Sequence, residues 1–293
     1  ILEDITNNTP AFKITVKGLQ GGHSGMDIHK GLGNANKLMN RVLYAVRKSI
    51  QIAEIDGGGL RNAIPRESNT IIITPNTENF ITSFERIKDE IKTEYSTLEK
   101  ELEITYSSIQ TPISVLSTAD QDLLLKVLYA TFNGVFRMSP DIEDLVETSN
   151  NIARVIVKNG SIKVLCLTRS SIESGKWDMA NTLENIFSLG GFSVEFGDSY
   201  PGWKPNPDSE ILKTMSSLYE ALFNKKPNIL ACHAGLECGL LGTHYPNLDM
   251  ISFGPTIRGA HSPDERASIS STQKYWEFLI AVLENIPTRD TRN

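Results

Sequence analysis

The segment Tyr200-Pro-Gly-Trp-Lys-Pro-Asn-Pro207 constrains the fold more than any other stretch of this chain. Four of its eight residues are proline or glycine. Proline fixes φ and removes a backbone donor, so neither a helix nor a strand continues through it. It divides the chain into a long first part, 1–197, and a short last part, 198–293. At 293 residues the chain exceeds the usual size of one core, so two domains are expected. The last part, with about ninety residues, can bury only a modest core.

The first part reads as alternating helix and strand. Residues 10–18 alternate apolar and polar side chains, the pattern of a half-buried strand. A Gly-Gly-His-Ser-Gly turn at 21–25 leads into a helix pattern from about 29 to 49. Strands at 51–55 and 70–74, a helix at about 78–100 and a strand at 102–107 complete a βαββαβ order, the split ferredoxin-like motif. The next ninety residues repeat it in outline. A weak strand at 113–116 and a helix at 119–132 precede a strand at 142–147. A hairpin follows, 152–157 with 162–167 across Lys158-Asn-Gly-Ser161, then a helix at 177–189 and a strand at 192–196. The expected class is therefore α/β. An α+β domain over 1–197, in two similar halves of about 8–108 and 109–197, is followed by a fragment of a larger α/β sheet over 198–293. In that fragment, helices at 209–223, 233–241 and 272–286 alternate with strands at 228–231 and 248–253.

Composition narrows the function. The hydrophobic share of 40% and charged share of 22% are ordinary for a globular protein. A net charge of -6 with no long basic run argues against nucleic acid as a partner. No apolar run approaches the ~20 residues that span a bilayer, so no membrane partner is expected. Cys166, Cys232 and Cys238 form neither a paired framework nor a zinc-knuckle spacing, which fits a reducing compartment, and cytoplasm is expected.

Five places carry chemistry. The stretch from Gly254 to Arg266 holds His261 in a turn stiffened by two prolines and two glycines, with Arg258, Asp264, Glu265 and Arg266 nearby. Such a histidine serves as a metal ligand or an acid–base group; otherwise it caps a helix. In Gly-Gly-His23-Ser-Gly the glycines permit close backbone approach at a helix start, and an imidazole there suits an oxyanion. A plain glycine-rich turn is the alternative, favoured by the residues alone. Gly57-Gly-Gly-Leu-Arg-Asn62-Ala-Ile-Pro65 offers an amide and Arg61, or is simply a flexible hairpin loop. Arg169, at the end of an apolar strand and followed by two serines, either clamps a carboxylate with both arms of its guanidinium or is a strand-end charge. His233 and Glu237 lie four apart on one helical face, able to share a metal. A hydrogen-bonded pair is the favoured reading there.

Taken together these motifs resemble one family. Gly-Gly-His-Ser-Gly with Asp27-Ile28-His29, Asn62-Ala-Ile-Pro-Arg-Glu67, Leu167-Thr-Arg-Ser-Ser, Tyr200-Pro-Gly-Trp-Lys-Pro, His233-Ala-Gly-Leu-Glu-Cys-Gly239 and Gly254-Pro-Thr-Ile-Arg-Gly-Ala-His-Ser-Pro-Asp-Glu265 are similar to the aminoacyl-histidine dipeptidases. These are also called cytosolic non-specific or beta-alanyl-histidine dipeptidases, within the di-zinc superfamily of aminoacylases and carboxypeptidases. The resemblance implies a lid domain over 1–197 inserted into a catalytic domain, of which 198–293 is the C-terminal portion. It implies two zinc ions, with manganese or cobalt as substitutes, a dipeptide substrate of Xaa-His or broader type, and a homodimer. It also implies roles: His261 as a metal ligand, His23 as the lid residue that stabilises the tetrahedral intermediate, and Asn62, Arg169 and Gly235 as substrate-binding positions.

One departure is large. The family's His-x-Asp motif, bridging Asp and Glu-Glu pair with the general base are not found, and one histidine cannot hold two zinc ions when each site needs about three or four ligands. The chain also starts at Ile1, close to a strand. The expectation is a fragment that lacks the N-terminal metal-binding half and is inactive alone. Two other readings stand beside it: a non-catalytic binding or dimerisation module derived from the lid, and another amidohydrolase of the superfamily.

Overall fold

The computed structural model describes residues 2–4, 9–197, 199–231, 237–258 and 265–286. It contains two compact units. One covers Ile1–Gly202; the other covers Trp203–Ala231 and the described residues from 237 onward.

The chain enters the first unit through β1 (Leu2–Asp4), β2 (Ala11–Lys17), the two-residue β3 (Gly22–His23) and α1 (Ala35–Val46). The helix starts later than its periodicity predicts. A single 3-10 turn at Ile28–Lys30 ends on Gly31 at φ 71, and Asn34 then caps α1 by accepting the N–H groups of Asn36 and Lys37. β4 (Gln51–Gly58), β5 (Ala63–Ile64), β6 (Ser68–Ile73), α2 (Thr77–Tyr95) and β7 (Glu103–Ile109) follow. α2 buries one stripe, Phe80, Phe84, Ile87 and Ile91. Each such side chain contributes about 1.5–3 kcal/mol when fully buried. The helix stops at Tyr95, short of the expected 100. Beyond it the carboxylate of Glu99 turns inward to accept the N–H groups of Gln20 and Gly33, both at 2.8 Å.

These strands form one antiparallel sheet in the order β4-β6-β2-β7, the ferredoxin-like order expected of the first half. α1 and α2 cover one face. Phe12, Ile14, Val16, Ile52, Ile72 and Ile104 meet the helices there. Phe12, Phe80, Phe84 and Tyr106 pack ring against ring at 5.0–5.7 Å between centroids.

The second half departs from a repeat of the first. β8 (Ser114–Leu116) leaves the main sheet and pairs with β1. After α3 (Thr118–Ala130) and β9 (Gly134–Met138), the two strands expected at 142–147 and 152–157 are one, β10 (Val146–Lys158), with a bulge between Ile152 and Arg154. β11 (Ser161–Ser170) returns along it, and α4 (Glu173–Leu189) closes the unit. Residues 192–196 form no strand; instead Phe192 packs edge-on against Phe187 and Phe196 against Trp177. The second half therefore adds a hairpin to an existing sheet. β10 joins β4 through Arg154 to Val157 against Gly58 to Ile55, giving the order β11-β10-β4-β6-β2-β7. The mixed α/β class stands.

The second unit contains α5 (Glu210–Phe223), α6 (Glu237–His244), the short hairpin of β12 (Ile257–Arg258) and β13 (Arg266–Ala267), and α7 (Ile269–Glu284). α5 and α7 meet through Tyr219, Phe223 and Phe278. The expected strands at 228–231 and 248–253 are not strands. An apolar run becomes a strand only where another strand takes its backbone bonds, and neither run has such a partner among the described residues.

The seam between β4 and β10 tolerates no side chain at Gly58. Its φ is 78, and a Cβ there would stand 1.9 Å from the carbonyl oxygen of Ala153 in the bulge. Gly58→Ala is expected to destabilise the first unit by about 2 kcal/mol or more through strain and displacement of the seam. Gly59→Ala, where a Cβ meets nothing within 4 Å, should stay within about 0.5 kcal/mol. Urea unfolding of the two variants checks the contrast.

Candidate functional site

Two glycine-rich segments meet beside the end of the sheet. β3 pairs with β5, His23 opposite Ala63 and Gly22 opposite Ile64, and the Ser24 N–H donates to the Asn62 carbonyl at 2.8 Å. The turn after β3 folds back on itself. The His23 N–H donates to Asp27 Oδ2 at 2.7 Å, and the Asp27 N–H returns to the His23 carbonyl at 2.9 Å.

This turn sets the chemistry of the His23 ring. Nδ1 accepts the N–H groups of Gly25 at 3.2 Å and Met26 at 3.1 Å. A ring nitrogen that accepts amide protons carries none of its own, so the neutral imidazole holds its proton on Nε2. His23 is thereby arranged as a hydrogen-bond donor.

Arg169 arrives from the other half of the unit. It stands on β11 opposite Ser149 of β10, and its Nε donates to Ser24 Oγ at 3.3 Å, across 145 positions of sequence. Gly25 lies between the His23 and Arg169 side chains. A Cβ at that position would come within 3.2 Å of His23 Cε1 and 3.3 Å of Arg169 Cδ, so a side chain there would press on both. His23 and Arg169 are thus brought together, with Asn62 joined to them through its backbone carbonyl. Gly235, His233 and His261 lie outside the described residues.

The charge of the turn is settled locally. Burial works against ionisation of Asp27, but bonds from Lys30 Nζ at 2.6 Å and from the His23 N–H hold its carboxyl below the usual range. Among the described residues, no three His, Cys, Asp or Glu side chains converge as metal ligands would. Those residues therefore do not fit a metal by themselves.

The residues that sequence reasoning missed lie in β10. Glu147, Thr148, Ser149, Asn150 and Asn151 are all buried. Thr148 Oγ1 meets Ser170 Oγ at 2.9 Å, and Asn150 Nδ2 donates to the Phe132 carbonyl at 2.7 Å. Asn151 Nδ2 donates to the Ala63 carbonyl at 2.8 Å and the Arg61 carbonyl at 3.3 Å. The available signal was two consecutive asparagines, residues depleted in strands, between strand-forming neighbours.

Comparison with known proteins first gives a class. Residues 14–102, the ferredoxin-like half, match the peptidase dimerisation domain family. The wider likeness is to dipeptidases. The chain is 42% identical over 282 residues to the cytosol non-specific dipeptidase of Escherichia coli (strain K12), covering 95% of this chain and 58% of that protein. It also superposes on the crystal structure of the aminoacylhistidine dipeptidase from Vibrio alginolyticus with a TM-score of 0.85 and 41% identity, over 98% of this chain and 61% of that one. The resemblance read from the motifs thus holds along nearly the whole sequence, while the chain spans about three fifths of these relatives' length. No helix among the described residues is long and apolar enough to cross a membrane.

Cys166, on β11, gives a pH-dependent prediction. Burial pushes its thiol from the ordinary 9.0 up to about 12, against smaller opposing effects of a bond with Asn150 and the charge of Lys37. The folded form then binds more protons than the unfolded form between those values. The stability this contributes is present below pH 9 and declines as pH rises toward 12. At pH 8.5 Cys166 should resist iodoacetamide in the native protein and be alkylated in urea, as read by mass spectrometry of its peptide.

Proposed function

We propose that this chain supplies the lid and the C-terminal part of the catalytic domain of a metal-dependent dipeptidase. The first unit is the lid in this reading. Hydrolysis by a metal-activated water is the chemistry of the family it resembles, with two zinc ions bound when the enzyme is complete. Of the metal ligands, this chain contributes His261 by motif, and Gly235 completes the substrate-binding set. A homodimer formed through the dimerisation domain and a cytoplasmic location accord with the relatives' descriptions.

The observation that carries the reading is the meeting of His23 and Arg169 around Gly25. A donor fixed on Nε2 and a guanidinium beside it form a cationic, hydrogen-bond-donating surface, which suits the two anionic parts of a dipeptide during hydrolysis. His23 donates to the oxyanion of the tetrahedral intermediate. Arg169 holds the C-terminal carboxylate, with Asn62 positioned on the opposite segment. A binding module without chemistry is the weaker alternative, because it gives no reason for a tautomer-fixed histidine beside an arginine.

Two predictions follow for the complete enzyme. Arg169→Lys should lower kcat/KM on dipeptides by ~10-fold or more, since a bidentate charged contact contributes ~1.5–3 kcal/mol. Dipeptide amides should be poor substrates of the parent enzyme and almost indifferent to the change. Equal parent rates on dipeptides and their amides would remove the clamp.

His23→Ala should lower kcat by ~100-fold or more with KM and metal content preserved, because a donor that engages only the developing oxyanion acts on the transition state. Metal analysis alongside kinetics decides it. Loss of metal in proportion to activity would make His23 a ligand or a structural group.

A further inference from the structure

We propose that Asn151 is a positioning residue for His23, acting through residues 61–63; this rests on the donor role given to His23 above. An amide buried within a strand is costly unless each of its polar atoms is paired, and Asn151 is fully buried in β10. Its Nδ2 donates to the carbonyls of Ala63 at 2.8 Å and Arg61 at 3.3 Å, the two that bracket Asn62. Its Oδ1 accepts from Asn34 Nδ2 at 3.2 Å.

The orientation of both amides is determined. Asn34 Oδ1 is committed to the N–H groups of Asn36 and Lys37 at the start of α1. Its Nδ2 therefore faces Asn133 Oδ1 at 2.9 Å, the Ile152 carbonyl at 3.1 Å and Asn151 Oδ1 at 3.2 Å. That leaves Asn151 with its oxygen toward Asn34 and its two N–H groups toward 61–63. A line of hydrogen bonds thus runs from the first turn of α1, through β10, to the segment that holds β3.

That segment is what the His23 turn rests on. Asn62 accepts the Ser24 N–H, and Ala63 faces His23 in the β3–β5 pair. An aliphatic side chain fills the same volume as an asparagine but cannot direct two carbonyls. The amide adds orientation, which the site converts into the placement of the imidazole.

The test reads the imidazole directly. In 15N-labelled chain, with His23 assigned by loss of its signal in His23→Gln, the parent should show the neutral Nε2–H tautomer. Asn151→Ala should shift His23 toward a mixture of tautomers. Val157→Ala, a core truncation at the far end of β10, should lower stability without that shift. If Asn151→Ala does not fold, Asn151→Ser keeps one donor and should give an intermediate shift.

In the complete enzyme, Asn151→Ala should lower kcat about tenfold with KM within about threefold, and should cost nothing further when added to His23→Ala. An unchanged tautomer, or losses that multiply in the double variant, would overturn the proposal. If His23→Ala itself leaves kcat intact, the oxyanion role fails instead, and the tautomer shift still reports whether Asn151 positions the ring.

Discussion

The pairing of β10 with β4 is the interaction on which the rest of the first unit depends. Only four residue pairs make it, Arg154 to Val157 against Gly58 to Ile55, yet it fuses a complete ferredoxin-like sheet with the β10–β11 hairpin and the β9 strand beside it. The chain must crowd closely there, with Gly58 in the left-handed region against the bulge at Ala153. That bulge changes the strand's pairing. Beyond it, toward its N-terminus, β10 leaves β4 and runs beside β9 and β11 alone. The freed stretch carries Ser149 and Asn151, which face Arg169 and residues 61–63. Site and seam are two consequences of one strand's course.

This arrangement explains why polar residues occupy the interior of a sheet. A strand that only filled a core would be apolar throughout, as β10 is from Ile152 to Val157 apart from Arg154. From Thr148 to Asn151 every residue is polar and buried. Burial of such groups is tolerated because they are paired: with Ser170, with the Phe132 carbonyl, with Thr168, with residues 61–63 and with Asn34. A fully satisfied network of this kind fixes one geometry, since sliding or flipping any member strands a donor in a medium that will not solvate it.

The sequence was most legible where periodicity and packing agree. The first half follows a strict alternation in β2 and a single apolar stripe in α2, and its order was read correctly. The hairpin was marked by Asn159-Gly160, which takes left-handed φ values of 51 and 75. Legibility failed where a tertiary partner decides the outcome. The polar Thr148–Asn151 stretch hid the continuity of β10, because its buried bonds come from remote segments. The runs at 192–196, 228–231 and 248–253 looked like strands on composition, but composition does not supply a neighbouring ladder. At the site, His23 and Arg169 were each weak as single residues, and only the fold sets them beside the same glycine. The donor state of the ring was not readable at all, since it depends on two N–H groups turning back onto Nδ1.

The chemistry of the assembled groups determines which kind of ligand this surface suits. The two side chains brought together at Gly25 are a donor and a cation: an imidazole protonated on Nε2 and a guanidinium. The one carboxylate of the turn, Asp27, is occupied by Lys30 Nζ and the His23 N–H. A divalent cation needs lone pairs, which these two side chains do not offer in that state. An anion needs N–H groups held in place before it arrives, which is what the turn and its supporting segment provide. This surface is therefore suited to an anion rather than to a metal ion. A histidine bound to a metal would be lost as a donor. Turning Nδ1 inward onto the backbone removes one of the ring's two coordinating nitrogens, and protonation of Nε2 removes the other. The fold thus commits this histidine to hydrogen bonding rather than coordination.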